Sequence, residues 1–183
     1  MHYGAIKYND IADGEGVRTS LFVSGCRHHC KNCFQPETWD FSYGNLLDGN
    51  VMNSILESLE PAWVDGLTVL GGEPMEPENQ HDLAPLLEQV RARFPEKTIW
   101  IYTGDVYEDL VDATSNRHTD STDRILNVVD ILVDGPFVEE LKDITLRFKG
   151  SSNQRIIDVK RTREQGEIVL WKEDPQFSTH RFE

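Results

Sequence analysis

Residues 19–33, TSLFVSGCRHHCKNC, join a short apolar run to every cysteine of the chain, Cys26, Cys30 and Cys33. Residues 19–23 read as a buried strand bounded by polar turn residues. The thiols follow directly at its C-terminal end, as a C-x3-C-x2-C run. A disulfide needs a partner for each sulfur, and a structural zinc site normally takes four protein ligands. Three thiols inside eight positions fit neither arrangement.

Outward from this stretch, apolar periodicity alternates between helix and strand. Upstream, Gly14 and Gly16 mark a turn. Downstream, NVMNSILESLE sets Val51, Met52, Ile55, Leu56 and Leu59 at helical spacing and stops at Pro61. GLTVLGGEP predicts a second strand that ends in a glycine pair. NQHDLAPLLEQVRARF predicts a helix with Pro85 near its first turn, where proline is tolerated. KTIWIYTGD is a third strand, VYEDLVDA a helix, residues 130–134 a fourth strand and QRIIDV a candidate fifth. Such alternation predicts βα units around a parallel sheet, whose chemistry gathers at the C-terminal strand ends. The turns GCRHHCKNC, GGEP, YTGD and VDGPF are therefore expected to converge. A closed eight-stranded barrel takes about 250 residues. This chain of 183 predicts an incomplete, open-sided (βα) barrel of parallel strands.

Composition narrows the function classes. Apolar residues at 38% and charged residues at 27% are ordinary for a globular domain. MHYGAIKYND lacks the basic start and apolar run of a secretory signal, and no segment is long enough to span a membrane. An odd cysteine count without a signal predicts a reducing, cytoplasmic setting. A net charge of −14 argues against nucleic acid as partner. Two stretches depart from the acidic background. Residues 16–36 carry Arg18, Arg27 and Lys31 and no Asp or Glu; residues 142–163 carry Lys142, Arg147, Lys149, Arg155, Lys160, Arg161 and Arg163 against Asp143 and Asp158. Either stretch read alone is first a solvated face.

The thiols admit three readings: unrelated structural cysteines, a Cys3His zinc site drawing on His28, His29, His81 or His118, or an iron–sulfur cluster with one iron lacking a protein ligand. Clustering disfavours the first, and zinc ligands usually come as separated pairs. Thiolates are the standard cluster ligands, normally four, so three leave an open position. With the thiols as ligands, His28 and His29 read as solvent-exposed loop residues.

C-x3-C-x2-C after a first strand, with GGEP after a second, resembles the radical S-adenosylmethionine (SAM) superfamily. DGEGVRTSLFVSGC, LGGEPMEPEN, IWIYTG, ILVDGPF and RFKGSSNQRIID, in that order, are similar to the glycyl-radical activases that serve anaerobic ribonucleotide reductase. The similarity runs from residue 1 to about 158, giving a radical SAM domain at 1–158 and an extension at 159–183 without a functional reading. The resemblance implies a [4Fe-4S] cluster with Cys26, Cys30 and Cys33 on three irons and SAM on the fourth. It implies that an electron from the reduced cluster breaks the sulfonium–C5′ bond, and that the 5′-deoxyadenosyl radical takes a hydrogen from a glycine of the large reductase subunit.

In these roles Glu73 would meet the cationic amino group of SAM, and Gly71 and Gly72 would let backbone approach a ligand closely. Asn32, Cys33 and Phe34 flank the last thiol where family members contact SAM, with Phe34 a candidate for the adenine. The chain departs from the superfamily here, since an aromatic commonly precedes the third cysteine, and again at Glu15, where relatives usually place proline. Tyr102, Thr103 and Asp134, beside Gly104, are candidates for the ribose or methionine part, although a turn Asp is more often a cap. The carboxylate-free stretch 16–36 would spare the anionic cluster like-charge repulsion, and Arg18, Arg27 and Lys31 would dock an acidic electron donor such as a flavodoxin. An open side suits a protein substrate, with residues 142–163 a candidate docking surface. Alternatives are an activase for pyruvate formate-lyase, a carboxydeazaguanine synthase, or a zinc-binding interaction module.

Overall fold

A computed structural model describes residues 1–171. Its strands are β1 (His2–Asp10), β2 (Arg18–Val23), β3 (Asn45–Leu46), β4 (Gly66–Gly71), β5 (Thr98–Tyr102), β6 (Ile131–Asp134) and β7 (Arg155–Asp158). They form one sheet in the order β3-β1-β2-β4-β5-β6-β7. The helices are α1 (Gly49–Ser58), α2 (Pro77–Arg93), α3 (Tyr107–Val111), α4 (Asp120–Val128) and α5 (Val159–Gln165).

The central strands β2, β4, β5 and β6 are parallel, as the βα alternation predicts. Both margins differ. β1 pairs antiparallel with β2 and β3, and β7 runs antiparallel to β6. The expectation of parallel strands throughout is thus corrected to an open mixed sheet. Neither β7 nor β1 is separated from its neighbour by the crossover helix that a parallel pairing needs.

Alternation along each strand divides the core. Leu21, Val23, Leu67, Val69, Ile99, Ile101, Leu132 and Ile157 pack in one cluster with Leu83, Leu87, Ile125 and other helix residues. Their neighbours Trp100, Ile131, Val133 and Ile156 point to the other face, where Tyr102, Phe148 and Trp171 cover them. β2 is buried along its whole length, as a strand flanked on both edges should be. Among the described residues no helix is long and apolar enough to cross a membrane.

Local chemistry sets the helix ends. Asp48 accepts from Asn50 N and Val51 N at 2.9 Å to start α1. Thr119 and Thr122 form a capping box at α4. α2 begins at Pro77, with proline in its first turn, so Pro85 lies inside the helix and not near its start. The extension from residue 159 starts as α5, capped by Asp158, and returns to the sheet: Asp158 N donates to Val169 O, and Trp171 N to Ile156 O. Residues 172–183 of that extension lie outside the described residues.

At the N-terminal end of β2, Arg18 is fully buried. Its guanidinium donates to Thr68 Oγ1 (2.7 Å), Glu15 O (3.0 Å), Thr98 Oγ1 (2.9 Å), Leu67 O (2.8 Å) and Thr98 O (2.9 Å). All are neutral acceptors, and they belong to the entry loop of β2, to its neighbour β4 and to β5 beyond it. Arg18 therefore ties strand starts together and takes no part in a docking face.

Candidate metal centre

The opposite ends of the same strands meet the thiols. Backbone hydrogen bonds fasten the cysteine loop to the turn after β4: Gly72 N donates to Val23 O (2.7 Å) and Glu73 N to Gly25 O (2.8 Å). The amide of buried Asn79, on α2, donates to Ser24 O and Glu73 O, both at 2.9 Å, and so bridges the two segments. A Cβ on Gly72 would stand 2.8 Å from Gly25 O and 3.0 Å from Thr38 O; on Gly71, at φ +107°, it would stand 2.7 Å from Val23 N. Both glycines therefore let backbone approach backbone, which differs from the ligand-approach reason the sequence suggests. Gly72→Ala is expected to push the turn off the cysteine loop, costing about 1–3 kcal/mol of stability by overpacking. Thermal melts of the metal-free chain measure this, and reconstituted iron content should fall with it.

The result is a cleft of about 280 Å³ whose lining includes Cys26, Cys30 and Cys33 with Phe34, Gly71, Gly72, Glu73, Tyr102, Thr103 and Gly104. These sequence-selected residues are brought together. Asn32 and Asp134 are not part of that lining. Asn32 is an exposed turn residue at φ +58°. Asp134 is fully buried; it accepts from Tyr107 N, the first residue of α3 (2.8 Å), and from Arg155 Nε (2.9 Å). Its carboxylate serves the fold, in the manner of a cap. Tyr102 is part of the lining, and its hydroxyl is buried with no hydrogen-bond partner among the described residues.

Glu73 is 1% exposed and well occupied. Oε1 accepts from Met75 N (2.8 Å); Oε2 accepts from Gly104 N (2.7 Å) and lies 2.9 Å from His28 Nε2. A carboxylate offers about four lone-pair positions, so one more donor can be received. His28 is accordingly no solvent-exposed residue. It lines the cleft, packs over Gly104, and lies 3.4 Å from Asp105 Oδ1. The hydrogen bond to Glu73 raises the pKa of His28, and burial with the Glu73 charge pushes Asp105 up to about 6. His29 stacks on Trp39 at 4.5 Å between ring centroids.

Sequence reasoning also missed Glu76, Asp105 and Arg117. Glu76 is fully buried and accepts from Arg27 N and Arg27 Nη1, each at 2.8 Å. Arg27 further pairs with Glu78 (2.6 Å), and Lys31 with Glu140 (3.3 Å). With Arg18 buried, the cationic docking face expected from these three residues is not formed. The carboxylates missing from 16–36 return through space as Glu73, Glu76 and Asp105.

The donor set fits a cluster better than one zinc ion. Zn–S bonds near 2.3 Å in a tetrahedron place sulfurs roughly 3.8 Å apart. Among the described residues, the ligand-type atoms lying as a set of three within 4.8 Å of one another are those of His28, Glu73 and Asp105, not the three thiols. Three sulfurs around one cleft that do not all lie within 4.8 Å of one another suit a larger core, and the sequence contains no fourth cysteine. Burial pushes the Cys26 thiol up to about 11 and raises Cys30, so thiolate ligation has to be driven by the metal and releases protons.

Three thiols and a GGEP turn gathered at the strand ends of an α/β sheet make a site suited to one iron–sulfur cluster. The family model described as "4Fe-4S single cluster domain" matches residues 12–157. The chain is 35% identical over 156 residues to an anaerobic ribonucleoside-triphosphate reductase-activating protein of Enterobacteria phage T4, covering 85% of this chain and 93% of the relative. It is 37% identical over 159 residues to the protein of that name in Haemophilus influenzae (85% and 97%), and 35% identical over 156 residues to that of Escherichia coli K12 (84% and 96%). The chain belongs to the family of anaerobic ribonucleoside-triphosphate reductase-activating proteins.

Proposed function

We propose that this chain is a radical SAM activase that generates a glycyl radical on the large subunit of an anaerobic ribonucleoside-triphosphate reductase. The observation that carries the reading is the convergence of all three thiols with the Glu73 carboxylate in one cleft, in a chain of this family. Cys26, Cys30 and Cys33 hold a [4Fe-4S] cluster and leave one iron for SAM. Held there, the cluster would supply the one electron needed to break the sulfonium–C5′ bond of SAM, giving methionine and a 5′-deoxyadenosyl radical able to take a hydrogen atom from the reductase glycine.

The chain's own residues bind and orient. Glu73 offers its remaining lone pair to the SAM ammonium, held in direction by Met75 N and Gly104 N. Phe34, 81% exposed in the cleft lining, is available to lie against the adenine, and Tyr102 and Thr103 of the same lining to meet the ribose or methionine part. Asn32, outside the lining, shapes the turn that presents Cys33. The open mixed sheet acts as a partial barrel, with 1–158 as the radical SAM domain and 159–183 as its extension. Its open side admits a reductase loop. A flavodoxin-like donor reaches the centre where Cys30 and Cys33 are partly exposed. Three free thiols suit a reducing cytoplasm.

Anaerobic reconstitution with iron and sulfide, followed by dithionite, SAM and a candidate reductase subunit, is the test. About four irons per chain, release of 5′-deoxyadenosine and a glycyl doublet by electron paramagnetic resonance (EPR) are expected. A colourless, redox-silent protein holding one zinc would overturn the proposal.

A further inference from the structure

Residues 112–119, between α3 and α4, match none of the motifs around the cleft. Yet this loop sends Arg117 between two buried carboxylates. Arg117 Nε donates to Asp105 Oδ2 at 2.8 Å, and Nη1 donates to Glu76 Oε2 at 2.9 Å. Each carboxylate then reaches a residue lying between Cys26 and Cys30. Glu76 holds the amide and guanidinium of Arg27, and Asp105 faces the His28 imidazole, whose other close partner is Glu73. A single guanidinium thus links the cysteine loop, the turn after β4 and the turn after β5.

Arg117 is itself held rigidly. The side-chain amide of Gln80, fully buried on α2, donates to Arg117 O (2.9 Å) and Met75 O (2.7 Å). Gln80 Oε1 accepts from the hydroxyls of Thr119 and Thr122, both at 2.6 Å. Support of this kind, one residue removed from the binding atoms, sets the precision of a site. Without Arg117, Glu76 would retain only Arg27, and Asp105 would face Glu73 with only the His28 imidazole between them. Repulsion would then drive the two turns apart.

We propose that Arg117 is a positioning residue of the SAM site, acting through Glu76 and Asp105 to hold the C-x3-C loop against Glu73. The SAM part of this inference rests on the function proposed above. Arg117 touches neither thiols nor ligand; it fixes the distance between the thiols and the carboxylate that must engage one molecule together.

The test compares wild type, Arg117→Gln, Arg117→Lys and Asp105→Asn as full-length chains. In the metal-free proteins, alkylation of the buried Cys26 should speed up about tenfold in Arg117→Gln. After anaerobic reconstitution, iron content and the EPR signal of the reduced cluster without SAM should match wild type. The SAM dissociation constant, by equilibrium dialysis, should rise about 10- to 100-fold in Arg117→Gln and Asp105→Asn. Arg117→Lys, which keeps the charge and loses the fork, should recover part of that loss.

Unchanged Cys26 alkylation and unchanged SAM affinity in Arg117→Gln would overturn the inference alone. Loss of iron in step with a general loss of thermal stability would also overturn it, by making Arg117 merely structural. Failure of reconstituted wild type to bind SAM would instead overturn the proposed function and the SAM part of the inference together.

Discussion

Cys26→Ser, Cys30→Ser and Cys33→Ser, made singly, are each expected to lower SAM cleavage by a factor on the order of 10³ or more, about 4 kcal/mol of transition-state stabilisation. The three positions are unlike as packing sites: Cys26 is buried at the end of β2, whereas Cys30 and Cys33 are partly exposed. If they were ordinary side chains, the cost of replacement would follow burial and Cys33→Ser would be nearly silent. In the proposed role, as ligands of one cluster, they would be equivalent, because a serine hydroxyl is a poor substitute for a soft thiolate. The expected result is thus a dissociation of two readouts. Stability of the metal-free chain, from thermal melts, should fall only for Cys26→Ser, by roughly 1 kcal/mol. Iron retention and 5′-deoxyadenosine release should collapse in all three. A Cys33→Ser protein with full iron and normal cleavage would remove the basis of the proposed function.

The cysteine run and its place after β2 were legible because local signals suffice. An apolar run fixes the strand, and the thiol spacing together with the GGEP turn carries the family resemblance. Residues 66–74 and 98–104 were legible for the same reason. The sheet margins were not. His2–Asp10 mixes half-buried and exposed positions, and nothing within a strand states whether its partner runs parallel or antiparallel. QRIIDV was placed as a strand, but its direction follows from residues 135–154 returning without a crossover helix. Asp134 looked like a site residue from its strand-end position, and its engagement by Arg155 and Tyr107 N depends on elements 21 and 27 residues away.

Electrostatics failed in the sequence for a related reason. The absence of Asp and Glu from 16–36 suggested a carboxylate-free surrounding, but proximity in a βα fold is set by strand ends. Glu73, Glu76 and Asp105 arrive from two other such ends. The charges near the cleft are therefore compensated in space, through Arg27 and Arg117, and not by omission along the chain. His28 shows the same limit. A histidine between two cysteines has no sequence signal for burial, and its partner Glu73 is 45 residues distant.

Arg18→Ala is expected to destabilise the fold by about 4 kcal/mol or more, because it leaves several buried carbonyl and hydroxyl acceptors without donors and opens a cavity. For a chain of this size, that is a fall in melting temperature of roughly 10 °C. The sequence grouped Arg18 with surface cations, since arginine is seldom fully buried without a carboxylate. A surface Arg→Ala change would cost under about 0.5 kcal/mol, so the two placements differ by nearly an order of magnitude. Burial lowers the Arg18 pKa to about 10, which still leaves it charged at neutral pH, and its five N–H groups disperse that charge over the starts of β4 and β5. Lysine keeps the charge with three donors for five acceptors, and methionine keeps only the apolar stem. Stability should therefore fall in the order wild type, Arg18→Lys, Arg18→Met, Arg18→Ala. The strand ends that carry the cleft lie opposite, so each variant, assayed well below its melting temperature, should bind iron as wild type does. A melting temperature for Arg18→Ala within 2 °C of wild type would return Arg18 to the surface and, with it, the docking face that the sequence suggested.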